Sequence, residues 1–405
     1  MNASRNSPLI GQAAFTRMAV AGTNLTPLGQ ELLKRAAANP DDAHTLLDLS
    51  TVLLLTGNRE LSLQMQAQAL QIQQLYRLPM HQQRPALRLL ALMTPGDMMA
   101  NTPLEFLLEK SDVELTLLYI GQNLPLPEAL PEHDVLFVAI GESERNLDTL
   151  RRLQDVLADW PHPIVNRPEN IARLARDDVW NALHDAPGVL IPQTFRVSRA
   201  DLEEIARTRQ SLSGLLGDTD FPLIARPVDS HAGKGLVKLS VINELEDYLP
   251  TLPDAQEFFL SPYVDYRQDD GLFRKYRIAL IGGQPYLAHL AISGHWIVHY
   301  VNAEMANNAE RRAEEAYAMS HFDSGFARRH RAALAAIHQR MGLDYLGLDC
   351  SETADGKLLI FEVDTSMVVH AMDSPEVFPY KQPQMRKLFA AFRQLLLDRA
   401  QPGGN

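Results

Sequence analysis

Residues 343–372, LDYLGLDCSETADGKLLIFEVDTSMVVHAM, decide how this chain is expected to fold. An apolar run ends in Asp349, and Asp355-Gly356 follows as a turn dipeptide. A second apolar run carries Glu362 and Asp364. Two apolar runs around such a turn predict a β-hairpin. Because side chains alternate along a strand, Glu362 and Asp364 share a face, and Asp349 on the partner strand can lie opposite them.

These three carboxylates indicate a cation site. Acids that converge on one sheet surface repel one another, and a bound cation relieves the repulsion. Asp349, Glu362 and Asp364 offer hard oxygen ligands that suit Mg²⁺, an ion that usually bridges substrate phosphates. The alternative interpretation is an edge hairpin whose acidic face is solvated.

The composition excludes several classes of protein. A length of 405 residues favours two or three domains, and a net charge of −12 argues against nucleic acid as a partner. The single cysteine, Cys350, excludes an intrachain disulfide and fits a reducing compartment. No apolar run approaches the roughly 20 residues of a membrane span, and the first residues lack the apolar stretch of a signal peptide. We therefore expect a cytoplasmic protein without a membrane partner.

Residues 1–80 predict a helical segment. A loosely ordered stretch to about residue 24 is expected to precede helices at 29–38, 43–55 and 59–76. The last two helices, with the turn at 56–58, resemble one tetratricopeptide unit. A single unit cannot bury both of its faces, so it should pack on the rest of the chain, on another subunit or on a protein partner. A plain helical hairpin is the alternative.

Residues 81–165 predict a doubly wound parallel sheet, because strand-length apolar runs alternate with helical patterns. No GxGxxG follows the first strand, so dinucleotide binding is unsupported there. The predicted strands are residues 86–93, 113–120, 134–140 and 163–166. The predicted helices are residues 102–110, 143–160 and 167–183.

A loop of small residues lies between predicted strands at 221–226 and 236–239. Its core, HAGKG, contains His231, Gly233, Lys234 and Gly235. Backbone N–H groups of such a loop, together with Lys234, can close over phosphates. An ordinary glycine hairpin turn is the alternative.

The remaining pattern continues with strands and a long helical region. Lys275 and Arg277 alternate with apolar residues in the predicted strand 274–281, so they share a face. The other predicted strands are residues 255–260 and 285–292. The predicted helices are residues 201–209, 303–342 and 384–398.

From about residue 165 to 398, this order resembles the ATP-grasp superfamily, nearest its glutathione-synthetase and ribosomal-protein glutamate-ligase branch. The resemblance rests on five stretches in sequence. They are FPLIARP (221–227), HAGKG (231–235), AQEFFL (255–260), RKYRIALI with GG (274–283) and LD with FEVD (348–349 and 361–364). In that family two small α+β subdomains grip ATP, and residues 81–165 resemble the family's preceding domain. The resemblance implies an ATP-grasp domain at 166–405, with the flap subdomain at about 190–260 and the metal-bearing subdomain at about 261–398.

The resemblance implies a role for several residues. Arg226 stands where the family has a phosphate-binding lysine, His231 to Gly235 form the mobile loop, and Arg277 meets phosphate or acyl substrate. The metal ligands, for one or two Mg²⁺ or Mn²⁺ ions, are Asp349, Glu362 and Asp364. The hinge, whose backbone meets adenine, is Glu257, Phe258, Phe259 and Leu260, and Asp265 holds the ribose.

The chain departs from the family pattern at four positions. Asp364 replaces the usual asparagine, and Arg226 replaces the lysine while keeping its charge. An earlier family lysine is missing near residue 178, where Arg176 is the nearest basic side chain. A second substrate arginine, expected near residue 291, is also missing. The substrate candidates that remain are His295, His299, His370, Asp373 and Lys381.

The function that these features imply is an ATP- and Mg²⁺-dependent carboxylate–amine ligase acting on an amino acid, a small peptide or a peptide tail. Arg226, Lys234 and Arg277 would supply the charge for phosphoryl transfer. The missing basic residues keep two alternatives open. One is a non-catalytic ATP-binding regulatory protein, and the other is a kinase of the same fold.

Overall fold

The N-terminal helices pack on one face of the first β-sheet. The computed structural model describes residues 7–401 except positions 81, 83, 210, 211, 231 and 232. Leu32, Leu49 and Leu70 of these helices belong to the same hydrophobic core as Leu89 and Phe137 of the sheet. The four helices are α1 (Gln12–Val20), α2 (Thr26–Ala38), α3 (Ala43–Leu55) and α4 (Arg59–Ile72).

The prediction of loose structure before residue 24 is wrong for α1. Two carboxylates from distant parts of the chain hold the residues at the start of this helix. Asp48 accepts hydrogen bonds from the backbone N–H groups of Ile10 (2.9 Å) and Gly11 (3.1 Å). Glu105 accepts one from Ala13 (3.0 Å). Such long-range partners leave no local pattern in the sequence.

The helix predicted at 59–76 ends at Ile72, and the chain then forms strand β1 (Leu75–Arg77). Tyr76 is fully buried, and its hydroxyl donates to the carbonyl of Ala69 over 3.0 Å. Pairing of β1 with the sheet satisfies backbone groups that a longer helix would have satisfied internally.

The first sheet contains five strands in the order β1-β3-β2-β4-β5. All neighbours are parallel except β1, which runs antiparallel to β3. Along β2, Leu89 and Ala91 pack toward the N-terminal helices, whereas Leu90 and Leu92 pack toward α6. Both faces are therefore covered, which explains the unbroken apolar run of β2. The elements are β2 (Leu87–Met93), α5 (Leu104–Leu107), β3 (Val113–Tyr119), β4 (Val135–Val138), α6 (Glu144–Val156) and β5 (Ile164–Val165).

A second sheet carries the glycine-rich loop. Its four strands lie in the order β7-β10-β8-β9, all antiparallel, and its core is separate from that of the first sheet. The helix predicted at 167–183 is two helices, because the chain turns between residues 172 and 175. The elements are α7 (Pro168–Ile171), α8 (Arg176–Leu183), β6 (Val189–Leu190), β7 (Phe195–Ser198), α9 (Arg199–Thr208), α10 (Ser213–Leu216), β8 (Leu223–Pro227), β9 (Val237–Leu239), α11 (Glu244–Tyr248) and β10 (Glu257–Pro262).

A third sheet contains the acidic hairpin, in the order β12-β11-β13-β14-β6. Gly356 turns between β13 and β14 with φ 79°, as the Asp-Gly signal predicted. The long helix predicted at 303–342 is divided into 3₁₀ turns and three helices. The elements are β11 (Phe273–Ile281), β12 (Gln284–Ser293), α12 (Ala309–Ser320), α13 (Phe326–Arg329), α14 (Arg331–Met341), β13 (Tyr345–Glu352), β14 (Leu358–Asp364) and α15 (Lys381–Ala400).

Helix α15 joins the first and third sheets. The Phe392 ring lies 6.0 Å from the ring of Phe137 and 5.3 Å from that of Tyr345, centroid to centroid. The predicted fold class is confirmed: a helical segment, a doubly wound sheet and two smaller α+β units follow one another. In the described part of the chain, no helix is both long and apolar enough to span a membrane.

Candidate functional site

A cavity of about 520 Å³ lies between the second and third sheets. Arg226 and Phe259 line it from the second sheet, while Arg277, Asp349 and Glu362 line it from the third. The loops after β4 and β14 complete its wall. Residues far apart in the sequence therefore meet around one space of ligand size.

Strand register places the charged residues of the third sheet in one row. Arg277 on β11 pairs with Asp349 on β13, and Asp349 pairs with Glu362 on β14. On the other side, Arg277 pairs with His289 on β12. Directly paired residues point to the same face of a sheet. The prediction that Asp349 can lie opposite Glu362 is confirmed by this register.

Asp349 contacts two cationic side chains. Lys275 donates from Nζ to Oδ2 over 2.8 Å, and Arg277 donates from Nε to Oδ1 over 2.8 Å. All three side chains are largely buried, with 4% of the Asp349 side chain exposed. Burial alone would raise the pKa of the Asp349 carboxyl, but the charges of Arg277 and Lys275 hold it well below its usual range. Asp349 is therefore ionised.

Glu362 pairs with Arg176 of α8. Arg176 donates from Nη2 to Glu362 Oε1 over 2.5 Å and from Nη1 to the Phe361 carbonyl over 2.7 Å. Burial opposes ionisation, yet the charges of Arg176 and Arg226 lower the pKa of Glu362. Arg176 thus brings a positive charge to the cavity wall beside Glu362.

Asp349, Glu362 and Asp364 offer the oxygen ligands that a divalent cation prefers, and they lie on neighbouring strands. In this structure, however, each of the three carboxylates already has a protein partner. Lys275 and Arg277 contact Asp349, Arg176 contacts Glu362, and Asp364 accepts from the Ser366 N–H over 2.9 Å. Within residues 7–401, less the six undescribed positions, no group of three His, Cys, Asp or Glu is arranged to hold a metal. A cation would therefore have to displace part of these contacts.

Arg226 is 8% exposed, and its side chain points toward the glycine-rich loop. Its Nε donates to Ser230 Oγ over 3.1 Å, and its Nη2 donates to the Ser230 carbonyl. Burial and the nearby charge of Arg176 lower the pKa of Arg226 to about 9. The guanidinium remains protonated at neutral pH and carries a positive charge in the cavity wall.

The loop itself packs through Gly233 against His299, which lies in the segment after β12. A Cβ at Gly233 would lie 2.4 Å from His299 Nε2, and φ at this residue is +73°. At Gly235, where φ is +69°, a Cβ would lie 2.8 Å from Pro227 Cδ. Lys234 is exposed and does not line the cavity. His231 lies outside the described residues.

Replacement of Gly233 by alanine is expected to move the loop off His299. The added Cβ meets the imidazole, and a left-handed backbone costs a non-glycine residue about 1–2 kcal/mol. We expect weaker binding of Mg·ATP, the ligand that the sequence resemblance implies, in a calorimetric titration. Gly214→Ala is a matched control, because a Cβ there meets nothing within 4 Å. Equal affinities of Gly233→Ala and the wild type would show that contact between the loop and His299 is not needed for binding.

The predicted adenine hinge is only partly in the cavity wall. Phe259 lines the cavity, whereas Phe258 and Leu260 are fully buried in the core of the second sheet. Glu257 is exposed and pairs with Arg196 over 2.9 Å. Residues 261–264 continue the wall instead. The alternation of β10 explains the difference, because neighbouring residues of a strand point to opposite faces.

Asp265, the predicted ribose ligand, is exposed and outside the cavity wall. It pairs with Arg267 over 2.6 Å, while Val264 and Tyr266 on either side of it line the cavity.

Three of the five substrate candidates line the cavity, namely His299, His370 and Asp373. His295 is exposed outside it. Lys381 is buried behind the wall, where its ammonium lies 3.1 Å from Asp373 Oδ2.

Comparison with known proteins gives structural likenesses only. No protein-family model matches the chain, and no curated protein sequence matches it. One similar solved structure is the VanG D-Ala:D-Ser ligase from Enterococcus faecalis, at 14% identity and a TM-score of 0.48, covering 78% of this chain and 100% of that one.

Two further structures are similar. The D-alanine-D-alanine ligase from Coxiella burnetii has 12% identity and a TM-score of 0.49, with 78% of this chain and 96% of that chain covered. A RimK domain ATP-grasp protein from Sphaerobacter thermophilus has 15% identity and a TM-score of 0.44, with 77% and 99% covered. All three TM-scores are below 0.5.

Sequence reasoning missed several cavity residues. Lys275 had a signal, since it shares a strand face with Arg277. Glu142 also had one, because it follows the carboxyl end of β4, where ligands bind in parallel sheets. Burial, and then the charges of Asp229 and Asp364, raise the pKa of Glu142 to about 8. His289 and Tyr300 had no recognisable local pattern.

Proposed function

We propose that this chain is an ATP- and Mg²⁺-dependent carboxylate–amine ligase of the ATP-grasp kind. The observation that carries the proposal is the charged row of Arg277, Asp349 and Glu362, which shares one cavity with Arg226 of the opposite sheet. Cations on both sides of a cavity suit a polyphosphate chain. Acids beside them suit the divalent ion that accompanies it.

The cavity offers different surroundings for the two ends of a nucleotide. The apolar residues on its wall would take the base, and they include Ile224, Phe259, Val264, Leu359 and Phe361. Arg226, Arg176 and Arg277 would neutralise the phosphates. Their guanidinium groups suit phosphate oxygens because each presents a planar fork of donors.

Asp349, Glu362 and Asp364 would hold the divalent ion, which when bound neutralises charge that develops on the transferred phosphoryl group. The protein side chains have three other tasks. Arg277 and Lys275 fix the Asp349 carboxylate, the glycine-rich loop excludes water, and the cavity end at His370 and Asp373 receives the co-substrates.

The proposed reaction has two steps. An oxygen of a carboxylate substrate attacks the γ-phosphorus of ATP, and ADP leaves. The nitrogen of the unprotonated amine substrate then attacks the acyl carbon, phosphate leaves, and the nitrogen releases one proton to solvent. The expected substrates are an amino acid, a small peptide or a peptide tail. A nucleophilic Ser-His-Asp arrangement is not required for this chemistry.

A substrate screen tests the proposal. Purified protein with Mg²⁺ and ATP is offered pairs of carboxylates and amines, and ADP release is measured. We expect ADP release that depends on both partners and a product mass equal to the sum of the substrates minus water. ADP release with a phosphorylated product of a single substrate would instead indicate a kinase.

One observation favours a second candidate function, a non-catalytic nucleotide-binding protein. Asp349 and Glu362 are paired with Lys275, Arg277 and Arg176, so the acids are neutralised before any ion binds. Nucleotide binding without ADP release from any substrate pair would support this candidate.

The same proposal includes three finer points that rest on the sequence. They are the glutathione-synthetase-like branch, a cytoplasmic location, and a tetratricopeptide-like hairpin in α3 and α4. The N-terminal helices would bind a protein partner or a second copy of the chain. Mn²⁺ would be an alternative to Mg²⁺.

A further inference from the structure

A buried polar network lies behind one end of the cavity. It connects Glu315 of α12 with Lys381, the first residue of α15, and with the hydroxyl groups of Tyr300 and Tyr380. The Glu315 side chain is fully buried, and only 3% of the Lys381 side chain is exposed. Charged groups are rarely buried to this extent unless they are paired.

Lys381 is held within this network by hydrogen bonds and an ion pair. Its ammonium donates to Asp373 Oδ2 (3.1 Å) and to the Tyr300 hydroxyl (2.5 Å), and it lies 3.4 Å from Glu315 Oε1. Two of the three N–H donors of the ammonium are thus hydrogen-bonded, and the side chain does not line the cavity. Lys381 therefore acts on a substrate through Asp373.

Glu315 is held by hydrogen bonds as well. Its Oε1 accepts from the Leu290 N–H over 3.1 Å, and its Oε2 accepts from Tyr300 (2.9 Å) and Tyr380 (2.6 Å). Both oxygens of the Glu315 carboxylate therefore already accept hydrogen bonds from the protein. Its effect is to fix the position of Lys381, and thereby of Asp373.

Asp373 is the member that reaches the cavity. Its side chain is 20% exposed and lines the wall. Oδ2 accepts from Lys381, while Oδ1 receives no hydrogen bond from the part of the chain that the structure describes. The carboxylates of Asp373 and Glu315 share the single ammonium of Lys381, so the network carries an excess negative charge. Asp373 is the member that presents this charge to the cavity.

Neither the basic side chains nearby nor a magnesium ion is a suitable partner for Asp373 Oδ1. His370 also lines the cavity, but burial lowers its pKa despite the charge of Asp373, so the imidazole is neutral at pH 7. The Arg277 guanidinium is engaged by Asp349 and by the Val368 carbonyl. A magnesium ion needs several oxygen ligands in octahedral geometry, and Asp373 offers only one unused oxygen.

We propose that Asp373 binds a primary ammonium group of a substrate, and that Lys381, Tyr300 and Glu315 are its positioning residues. The inference rests on the proposed function and narrows its amine substrate to an aliphatic amine or amino acid. This substrate binds at this end of the cavity as an ammonium, and its nitrogen gives up one proton to solvent before it attacks. A charged hydrogen bond of this kind gives both affinity and orientation.

The first test uses propylammonium chloride as a probe, titrated calorimetrically into the full-length protein. Propan-1-ol and sodium chloride are the matched controls for its shape and ionic strength. We expect the wild type to bind propylammonium and neither control. Asp373→Asn should weaken binding about tenfold or more, since a hydrogen bond to a charged group is lost.

The matched control variant is Glu376→Gln, an exposed acid three residues away in the same loop. It should bind the probe as the wild type does. Asp373→Asn leaves one carboxylate for one ammonium in the network, so it is expected to fold and to keep its melting temperature. With a substrate pair from the ADP screen, it should raise the KM for the amine while leaving the KM for ATP within about twofold.

Absence of propylammonium binding, or equal binding by the wild type and Asp373→Asn, would overturn the inference. Titration with Mg·ATP separates it from the proposed function. Ammonium binding through Asp373 without ATP binding would contradict the ligase and leave the ammonium site standing. ATP binding without ammonium binding would contradict the ammonium site and leave the ligase proposal standing.

Discussion

Replacement of Arg226 by alanine is expected to lower turnover by about 10²- to 10³-fold, as for the loss of one preorganised charge donor. Arg226 is almost fully buried in the cavity wall and is held by Ser230, so its charge is already in position. Turnover is measured as ADP release with a substrate pair from the screen. Calorimetric titration with Mg·ATP measures affinity in parallel.

Lysine at position 226 is the more discriminating substitution. It keeps the charge and loses the planar fork, so we expect partial activity, between that of alanine and that of the wild type. The matched control is Arg207→Ala, an exposed arginine of α9 that pairs only with Glu204 in its own helix. If alanine and lysine at position 226 both left nucleotide affinity and turnover intact, Arg226 would have no role in the site.

Replacement of Asp349 by asparagine is expected to cost about 3–5 kcal/mol of unfolding free energy, because it leaves buried cations without their partner. Lys275 and Arg277 both donate to this carboxylate in surroundings that are largely closed to water. Chemical denaturation with a constant slope measures the change. The variant should also lose stabilisation by Mg·ATP.

The same contact predicts a pH dependence. The folded-state pKa of Asp349 lies below its value in the unfolded chain, near 3.9. The stability that the ionised Asp349 contributes is therefore fully present above the unfolded-state pKa. It is lost as the pH falls through the folded-state pKa. Asp349→Asn should lack this part of the acid sensitivity. Asp159→Asn, at an exposed position, is the control, and a loss no larger than the control's would contradict a buried ion-pair role for Asp349.

Local sequence patterns were sufficient for most of the strands and for the acidic hairpin. The Asp355-Gly356 turn and the two-residue alternation placed Glu362 and Asp364 on one face, and the register put Asp349 opposite Glu362. The sequence did not predict contacts between side chains that lie far apart along the chain. Nothing near Asp349 indicates that β11 brings Lys275 and Arg277 beside it.

The same limit explains the errors at the N-terminus and behind the cavity. Helix α1 depends on Asp48 and Glu105, and Lys381 depends on Glu315, so neither environment can be read from neighbouring residues. The hinge is a different case. The backbone of residues 257–260 was expected to meet the base. Of these residues, Phe259 lines the cavity, while Phe258 and Leu260 point into the core of the second sheet, as alternation along β10 requires.

The central claim is that the cavity between the second and third sheets binds Mg·ATP, and thermal unfolding of the wild-type protein with and without Mg·ATP tests it most directly. A ligand that binds only the folded state adds about 2.7 kcal/mol of stability at a hundredfold excess over Kd. We predict a melting temperature that rises with Mg·ATP until the site saturates, and a much smaller rise in Arg226→Ala. A wild-type melting temperature that stays unchanged up to millimolar Mg·ATP would contradict nucleotide binding in this cavity.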